Sequence, residues 1–344
     1  MLTPFGKNIF SSSIAALYRL VIAVRNWWYD HNQSAAKKVN APVISIGGVH
    51  AGGSGKTPMA LLTARYFATR GYSTVFVSRG YGRLSGQQCY VRPDQCADWQ
   101  TCGDEPTMLH ERLPHSWLAI GANRYKAISQ VLPAINRKPF FILDDGFQHR
   151  KIKRTIDIVC LPSAPFNAHL MPVGYLREPL ENCARADIIC VIGLEEESSL
   201  LAASRERLQK MWPSKPVFSL VQKPAGWINA LTGEDLAAPP LRDPMLVCGI
   251  ARPERFITIV KRRGIICSEI KTFNDHHIFT VNDINYIKNR SNGRGIITTH
   301  KDAVRLREAL ATDCNNVWYL SINLFFTDDS QEKQYFSIIE AALT

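Results

Sequence analysis

Three short clusters of residues carry groups that could move a phosphate. The first is "GGVHAGGSGKT", Gly47 to Thr57. It ends as the phosphate-binding loop G-x-x-x-x-G-K-[ST] ends, but His50 stands where the leading glycine belongs. Gly52, Gly53 and Gly55, with Ser54 between them, let backbone N–H groups curl around a phosphate. Lys56 supplies charge to the β- and γ-phosphates of a nucleotide, and Thr57 offers a hydroxyl to Mg²⁺. A following helix adds the positive end of its dipole. The second cluster, "FFILDDGFQHR", runs an apolar strand into Asp144 and Asp145. A carboxylate at that strand end suits the magnesium of the loop, and paired aspartates downstream of a phosphate loop favour that role over a simple turn. The third, "TCGDEP", sets Asp104 beside Glu105. Adjacent carboxylates point apart, so one can meet metal while the other faces a substrate; a helix N-terminal cap explains the same residues.

Basic residues recur in "SRGYGR", "NRYK" and "YLREPL", which contain Arg79, Arg124 and Arg177. Each flanks a strand–helix junction, where a guanidinium can clamp phosphate in a bidentate way or make a surface salt bridge. "FNDHHIFT" adds His276 and His277. Such a pair is structural unless it faces a site across a cleft.

These groups need a scaffold, and its outline is legible. "PVISIG", "STVFVSRG", "SWLAIG", "PFFILDDG", "IDIVCLP" and "ADIICVIG" are apolar without alternation, as buried parallel strands are. Helical stretches such as 58–70 and 124–132 separate them, which predicts a doubly wound α/β sheet. "APVISIGG" before the glycine loop and "TPMALLTARYFATRG" after it supply the strand and helix that a phosphate loop requires. Proline-rich 211–227 reads as a linker. A second α/β series follows: "PMLVCGI", "ICSEIKTF", "GRGIITT" and "NVWYLSI". The expected organisation is an N-terminal amphipathic segment at 1–34, a nucleotide-binding core at 35–212, a linker at 213–228 and a smaller α/β domain at 229–344.

The opening segment has its own chemistry. Arg19 and Arg25 interrupt its apolar run, so it is too short to span a bilayer and has no usual signal-cleavage site. On a helical wheel Leu17, Leu20, Val21, Val24, Trp27 and Trp28 share one face, with Arg25 near its edge. That pattern describes a helix in a membrane interface, or one packed on the protein's own core. A net charge of +11 favours an anionic partner: a membrane face, a phosphorylated substrate or nucleic acid. No basic stripe interleaved with aromatics supports nucleic acid. The nine cysteines include no C-x-x-C pair, which argues for reduced thiols, although Cys89, Cys96 and Cys102 are close enough in sequence to consider a metal.

Two nucleotide-dependent classes remain. In partitioning-type membrane ATPases a signature lysine precedes the paired glycines, and here that position is Ala51. "TTHKDA" misplaces the lysine of a guanine reader, so GTP specificity is unsupported.

Together "GGSGKT", "SRGYGR", "GDEP", "NRY", "DDGFQHR", "LREPL", "GIARPERF", F-x-D-H-H and "TTHKDAVRL", in this order, resemble the tetraacyldisaccharide 4′-kinases of lipid A synthesis. The resemblance covers about 41–306. It implies transfer of the γ-phosphoryl group of ATP, with Mg²⁺, to the 4′-hydroxyl of an acylated glucosamine disaccharide 1-phosphate. It implies Asp104 as base, working with His276; Lys56 at the phosphates; and Thr57, Glu105, Asp144 and Asp145 around the metal. Arg79, Arg124, Gln148 and Arg177 are the residues expected to bind substrate. The implied location is the cytoplasmic face of the bacterial inner membrane, with no protein partner or nucleic acid required. The alternative class is a membrane-associated regulatory ATPase switch. Family members generally have Asn-Leu at Gly48-Val49 and Glu at His300, and often Asp at Asn123.

Overall fold

The computed structural model describes residues 9–166, 168–311 and 316–343, so the first eight residues of the expected membrane segment lie outside it. Helix α1 (Ile9–His31) comes before the sheet. The first half then runs β1 (Val43–Gly47), α2 (Lys56–Ala68), β2 (Ser73–Ser78), β3 (Cys89–Val91), α3 (Trp99–Cys102), α4 (Asp104–Arg112), β4 (Trp117–Ile120), α5 (Arg124–Val131), β5 (Pro139–Asp144), β6 (Ile156–Pro162) and β7 (Ile188–Leu194). After α6 (Ser198–Met211) come β8 (Val217–Asn229), β9 (Asp235–Leu236), β10 (Met245–Cys248), α7 (Pro253–Arg262), β11 (Ile270–Thr272), α8 (Val281–Ser291), β12 (Ile296–Thr299), α9 (His300–Leu310), β13 (Val317–Phe326) and α10 (Asp329–Leu343).

All these strands belong to one sheet, ordered β11-β10-β12-β13-β8-β7-β6-β1-β5-β2-β4-β3, with β9 on β8. Pairing is parallel except for β3 on β4, β9 on β8 and β13 on β8. The doubly wound α/β expectation therefore holds. The uninterrupted apolar runs have their cause in this layering: every residue of β1 is buried because helices cover both faces of the central strands.

The 213–228 stretch is not a linker. Val217 to Gln222 pair with β7, and Leu220 to Asn229 pair with β13, so β8 welds the two halves into one sheet. Its Pro224 lies beside a register shift, where a missing N–H costs no ladder bond. The 229–344 unit also differs from expectation, because α10 returns to the first half. Tyr335, Phe336 and Ile339 join the apolar cluster beneath α2, and Tyr335 hydrogen-bonds Thr63 at 2.8 Å.

Helix α1 turns its apolar stripe outward. Leu20 is 60% exposed, Val24 57% and Trp27 60%, whereas Ile22 on the opposite side is buried. Polar bonds hold that inner side. Tyr18 donates to the Arg177 carbonyl at 2.9 Å, Asn26 to Glu178 at 3.0 Å, and Arg25 to the Gln148 carbonyl. Arg25 is thus an anchor to the protein, not a snorkelling edge residue. No helix among the described residues is long and apolar enough to cross a membrane.

Candidate active site

The glycine loop connects β1 to α2, as its sequence context demands. Gly52, Gly53 and Gly55 all have positive φ. Gly55 is the most constrained: at φ 74°, a Cβ would stand 2.7 Å from Ile192 Cγ2. The unusual His50 has a structural reason. Its backbone bridges antiparallel to Leu176, flanked by Ala51 N–H on the Tyr175 carbonyl and Arg177 N–H on the Val49 carbonyl, both 2.7 Å. A position paired in this way needs no glycine. Burial pushes the His50 imidazole down to about 4, so it is neutral near pH 7.

The end of β5 lies beside this loop because β5 pairs with β1, Ile46 opposite Asp144. The two aspartates divide. Asp145, at φ 49°, is bound by Arg177 at 2.5 Å and lies 3.7 Å from Lys56 Nζ, while Arg124 donates to its carbonyl at 3.2 Å. Burial works to raise its pKa, but Lys56 and Arg177 outweigh that and hold it below the usual range. Asp144 is buried, and its Oδ1 has no hydrogen-bond partner among the described residues. Burial, with the like charges of Glu105 and Asp145, pushes it up to about 7. A buried, unsatisfied oxygen beside two further carboxylates is costly without a cation, although among the described residues no three His, Cys, Asp or Glu side chains are already gathered as a metal site. Gln148 lines the same cavity, and its amide N–H donates to the Gly48 carbonyl at 3.1 Å, which ties β5's loop to the phosphate loop.

Asp104 is the first residue of α4, whose cap position is Gly103 with no side-chain cap bond, so the carboxylate is not spent on capping. Its Oδ1 accepts the Glu105 N–H at 2.8 Å, and its Oδ2 lies 3.0 Å from His276 Nδ1. The chain reaches it through Gly103 at φ 95°, where a Cβ would meet the Tyr81 carbonyl at 2.8 Å. His276 comes from the loop after β11, with a left-handed φ of 58° and Tyr81 edge-on at 4.7 Å. Lys301, in the first turn of α9, contacts His276 Nε2 and Asp275 at 2.9 Å and Glu105 at 3.5 Å. Burial opposes ionisation of Asp104, but the His276 hydrogen bond and the charges of Lys301 and Arg305 prevail, and its pKa lies below the ordinary value. His277 is the structural member of the pair, 3.0 Å from Asp283 at the cap of α8.

Further contacts draw α4 and α9 together. His300 Nε2 is 3.0 Å from Glu111, its ring stacks on Tyr319 at 4.0 Å, and Arg307 binds Glu111 at 2.5 Å. The result is one cavity of about 910 Å³. The phosphate loop, both β5 aspartates, Arg79, Arg124 and Arg177 line it from the first half, and His276 and Lys301 from the second. Asp104 is 3% exposed, and its bonded neighbours His276 and Glu105 form the wall in front of it.

Residues 8–342 match the model of the family described as Tetraacyldisaccharide-1-P 4'-kinase. The chain belongs to this family. Among relatives bearing the name tetraacyldisaccharide 4'-kinase, that of Flavobacterium johnsoniae is 31% identical and covers 92% of each chain. That of Chlorobaculum parvum is 32% identical, over 95% of this chain and 93% of its own. A crystal structure of LpxK from Aquifex aeolicus in complex with ATP superposes with a TM-score of 0.78 at 28% identity, covering 98% of this chain and all of that one.

Where this chain departs from the family's usual residues, the structure accommodates the change. Val49 is buried in an apolar cluster, Asn123 caps α5 through the Lys126 N–H at 3.1 Å, and His300 makes the Glu111 contact above. Lys301 and Arg252 are among the cavity residues with no local signal of their place. Lys301 sits inside the quoted motif "TTHKDAVRL" but has no partner within helical reach, and Arg252, in "GIARPERF", meets the phosphate loop only through the fold. Cys89 and Cys102 pack into the first-half core, and no cysteine metal cluster occurs among the described residues.

Proposed function

We propose that the protein is a lipid kinase that transfers the γ-phosphoryl group of ATP to the 4′-hydroxyl of tetraacyldisaccharide 1-phosphate in lipid A synthesis. One observation carries this reading: in a chain of this family, a phosphate-binding loop and His276, whose Nδ1 lies 3.0 Å from Asp104 just behind the wall, meet at one cavity lined from both halves of the sheet. The loop's N–H groups and Lys56 hold the ATP phosphates, and Arg124 and Arg177 add charge at the transferring group. Thr57, Glu105 and the β5 aspartates would hold Mg²⁺, Asp144 through its free Oδ1. When bound, the ion neutralises charge on the β- and γ-phosphate oxygens. A loose transition state leaves the protein mainly to position the reactants and receive a late proton. Asp104 is that acceptor, and His276 orients its Oδ2. Because Asp104 and His276 come from different halves, the acceptor site is complete only when these meet, which keeps water from the γ-phosphate.

The outward stripe of α1 rests in the cytoplasmic leaflet of the inner membrane, where the acyl chains of the substrate remain. The basic surface meets anionic headgroups and the substrate's 1-phosphate. The test is transfer from γ-labelled ATP to tetraacyldisaccharide 1-phosphate in detergent micelles with Mg²⁺. Labelled lipid, lost in Lys56→Ala, supports the kinase. ATP hydrolysis without labelled lipid overturns it in favour of a regulatory ATPase.

A further inference from the structure

Lys301 touches more of the candidate catalytic machinery than any expected residue of the second half, and the proposed reaction gives it no task. Its ammonium has three N–H donors and no acceptor. At 2.9 Å from His276 Nε2 it can form a hydrogen bond only if that nitrogen carries a lone pair. The imidazole proton then sits on Nδ1 and is donated to Asp104 Oδ2 at 3.0 Å. The other tautomer places N–H against N–H at Nε2 and a lone pair against a carboxylate oxygen at Nδ1, two repulsive contacts in a site largely closed to water. Asp104 asks for the same proton on Nδ1 from its own side. Asp275, on the loop of His276, would favour a proton on Nε2 but stands off at 3.9 Å, so Lys301 decides the matter at Nε2. Tyr81 meets the ring edge-on, and Arg305 and Glu105 approach Asp104 and Lys301 rather than the imidazole.

We infer that Lys301 is a positioning residue that fixes the tautomer of His276 and, through it, the orientation of the Asp104 carboxylate. The inference rests on the kinase reading for its kinetic consequence, but not for the tautomer itself. Lys301, Asp275 and His276 all belong to the second half, so Lys301 holds the ring from the side opposite Asp104. With Nε2 occupied by an ammonium, His276 acts as a donor, and the carboxylate remains the group that receives a proton. Asp104 is then held at both oxygens, by the Glu105 amide and by Nδ1–H. Loss of the lysine releases one of these two constraints.

The experiment combines a spectrum with a mutant cycle. In ¹⁵N-histidine-labelled wild-type protein, with the His276 signal assigned by its loss in His276→Ala, the NMR spectrum should show the proton on Nδ1. Lys301→Met, of similar length but without a donor, should shift the signal toward the other tautomer. In the lipid-labelling assay it should lower kcat about tenfold to a hundredfold, the scale of a misplaced catalytic group. The KM for ATP should change by less than about twofold, as loss of a transition-state contact requires. Lys301→Gln, which keeps an N–H donor, should recover part of kcat. In a His276→Ala background, Lys301→Met should cost less than about twofold more, because the lysine acts through the ring. A wild-type proton on Nε2 overturns the inference, as does a full Lys301→Met loss in the His276→Ala background. If the methionine variant fails to fold, the wild-type spectrum and Lys301→Gln still decide. If wild type labels no lipid, the kinase reading falls, and the spectrum alone judges the tautomer.

Discussion

Replacing Leu20 and Val24 together by glutamate tests the membrane role of α1 most directly. Both side chains lie on the outward stripe, 60% and 57% exposed. Full burial of such a side chain is worth about 1.5–3 kcal/mol, so removing the exposed part of each from a bilayer's reach loses roughly 1–1.5 kcal/mol. The pair together loses about 2–3 kcal/mol before any cost of placing two carboxylates near anionic headgroups. At 1.4 kcal/mol per decade, partition onto vesicles should fall by roughly 30-fold to 100-fold or more. The assay is co-sedimentation with vesicles containing anionic lipid, at fixed salt. The variant's thermal midpoint should stay close to that of wild type, because surface substitutions away from internal contacts generally cost within about 0.5 kcal/mol. Equal partition of variant and wild type would refute the placement of this stripe in lipid. A collapse of the thermal midpoint would mean that the stripe packs on protein.

Asp104→Asn should reduce lipid labelling by about 10²–10⁴-fold, the usual worth of a general base, while the ATP dissociation constant, measured by calorimetry, stays within about threefold. Gly55→Ala should weaken ATP binding at least about tenfold, since a left-handed residue with a Cβ costs roughly 1–2 kcal/mol and this Cβ also strikes Ile192. Part of the pH dependence of stability follows from His50 and His149, whose folded values of about 4 lie below their ordinary value of 6.5, chiefly because desolvation disfavours the charged imidazole. Between these values the unfolded chain binds the proton and the folded one does not, so stability should fall as pH drops from 6.5 toward 4. In thermal melts His50→Gln should flatten that slope; an unchanged slope would mean that the imidazole is not held neutral.

Local pattern was enough wherever an element's burial follows from its own sequence. The central strands are apolar on both faces, and the glycine loop needs only its flanking strand and helix, so β1, β5 and the phosphate site were legible. Strand β8 was not, because Pro213, Pro216 and Pro224 read as breakers, whereas the structure places the first two before the strand and the third beside its register shift. The C-terminal helix escaped because its partners, Thr63 and Tyr66, are some 270 residues away. Of the candidate catalytic centre, Asp104 and His276 were named from motifs, while their 3.0 Å contact and the lysine behind it depend on how β12 places α9. Gln148 was named from its motif as well, while the bond from its amide N–H to the Gly48 carbonyl depends on the fold.

The inner side of α1 is bonded to Gln148, Arg177 and Glu178, and two of those residues also grip the nucleotide loop. No hinge therefore lies between the proposed membrane anchor and the phosphate donor. With the stripe in lipid, the γ-phosphate stands at a set height above the bilayer, as if measured by a ruler. The substrate hydroxyl must come to that height, which selects headgroups by their reach from the acyl chains as well as by their chemistry.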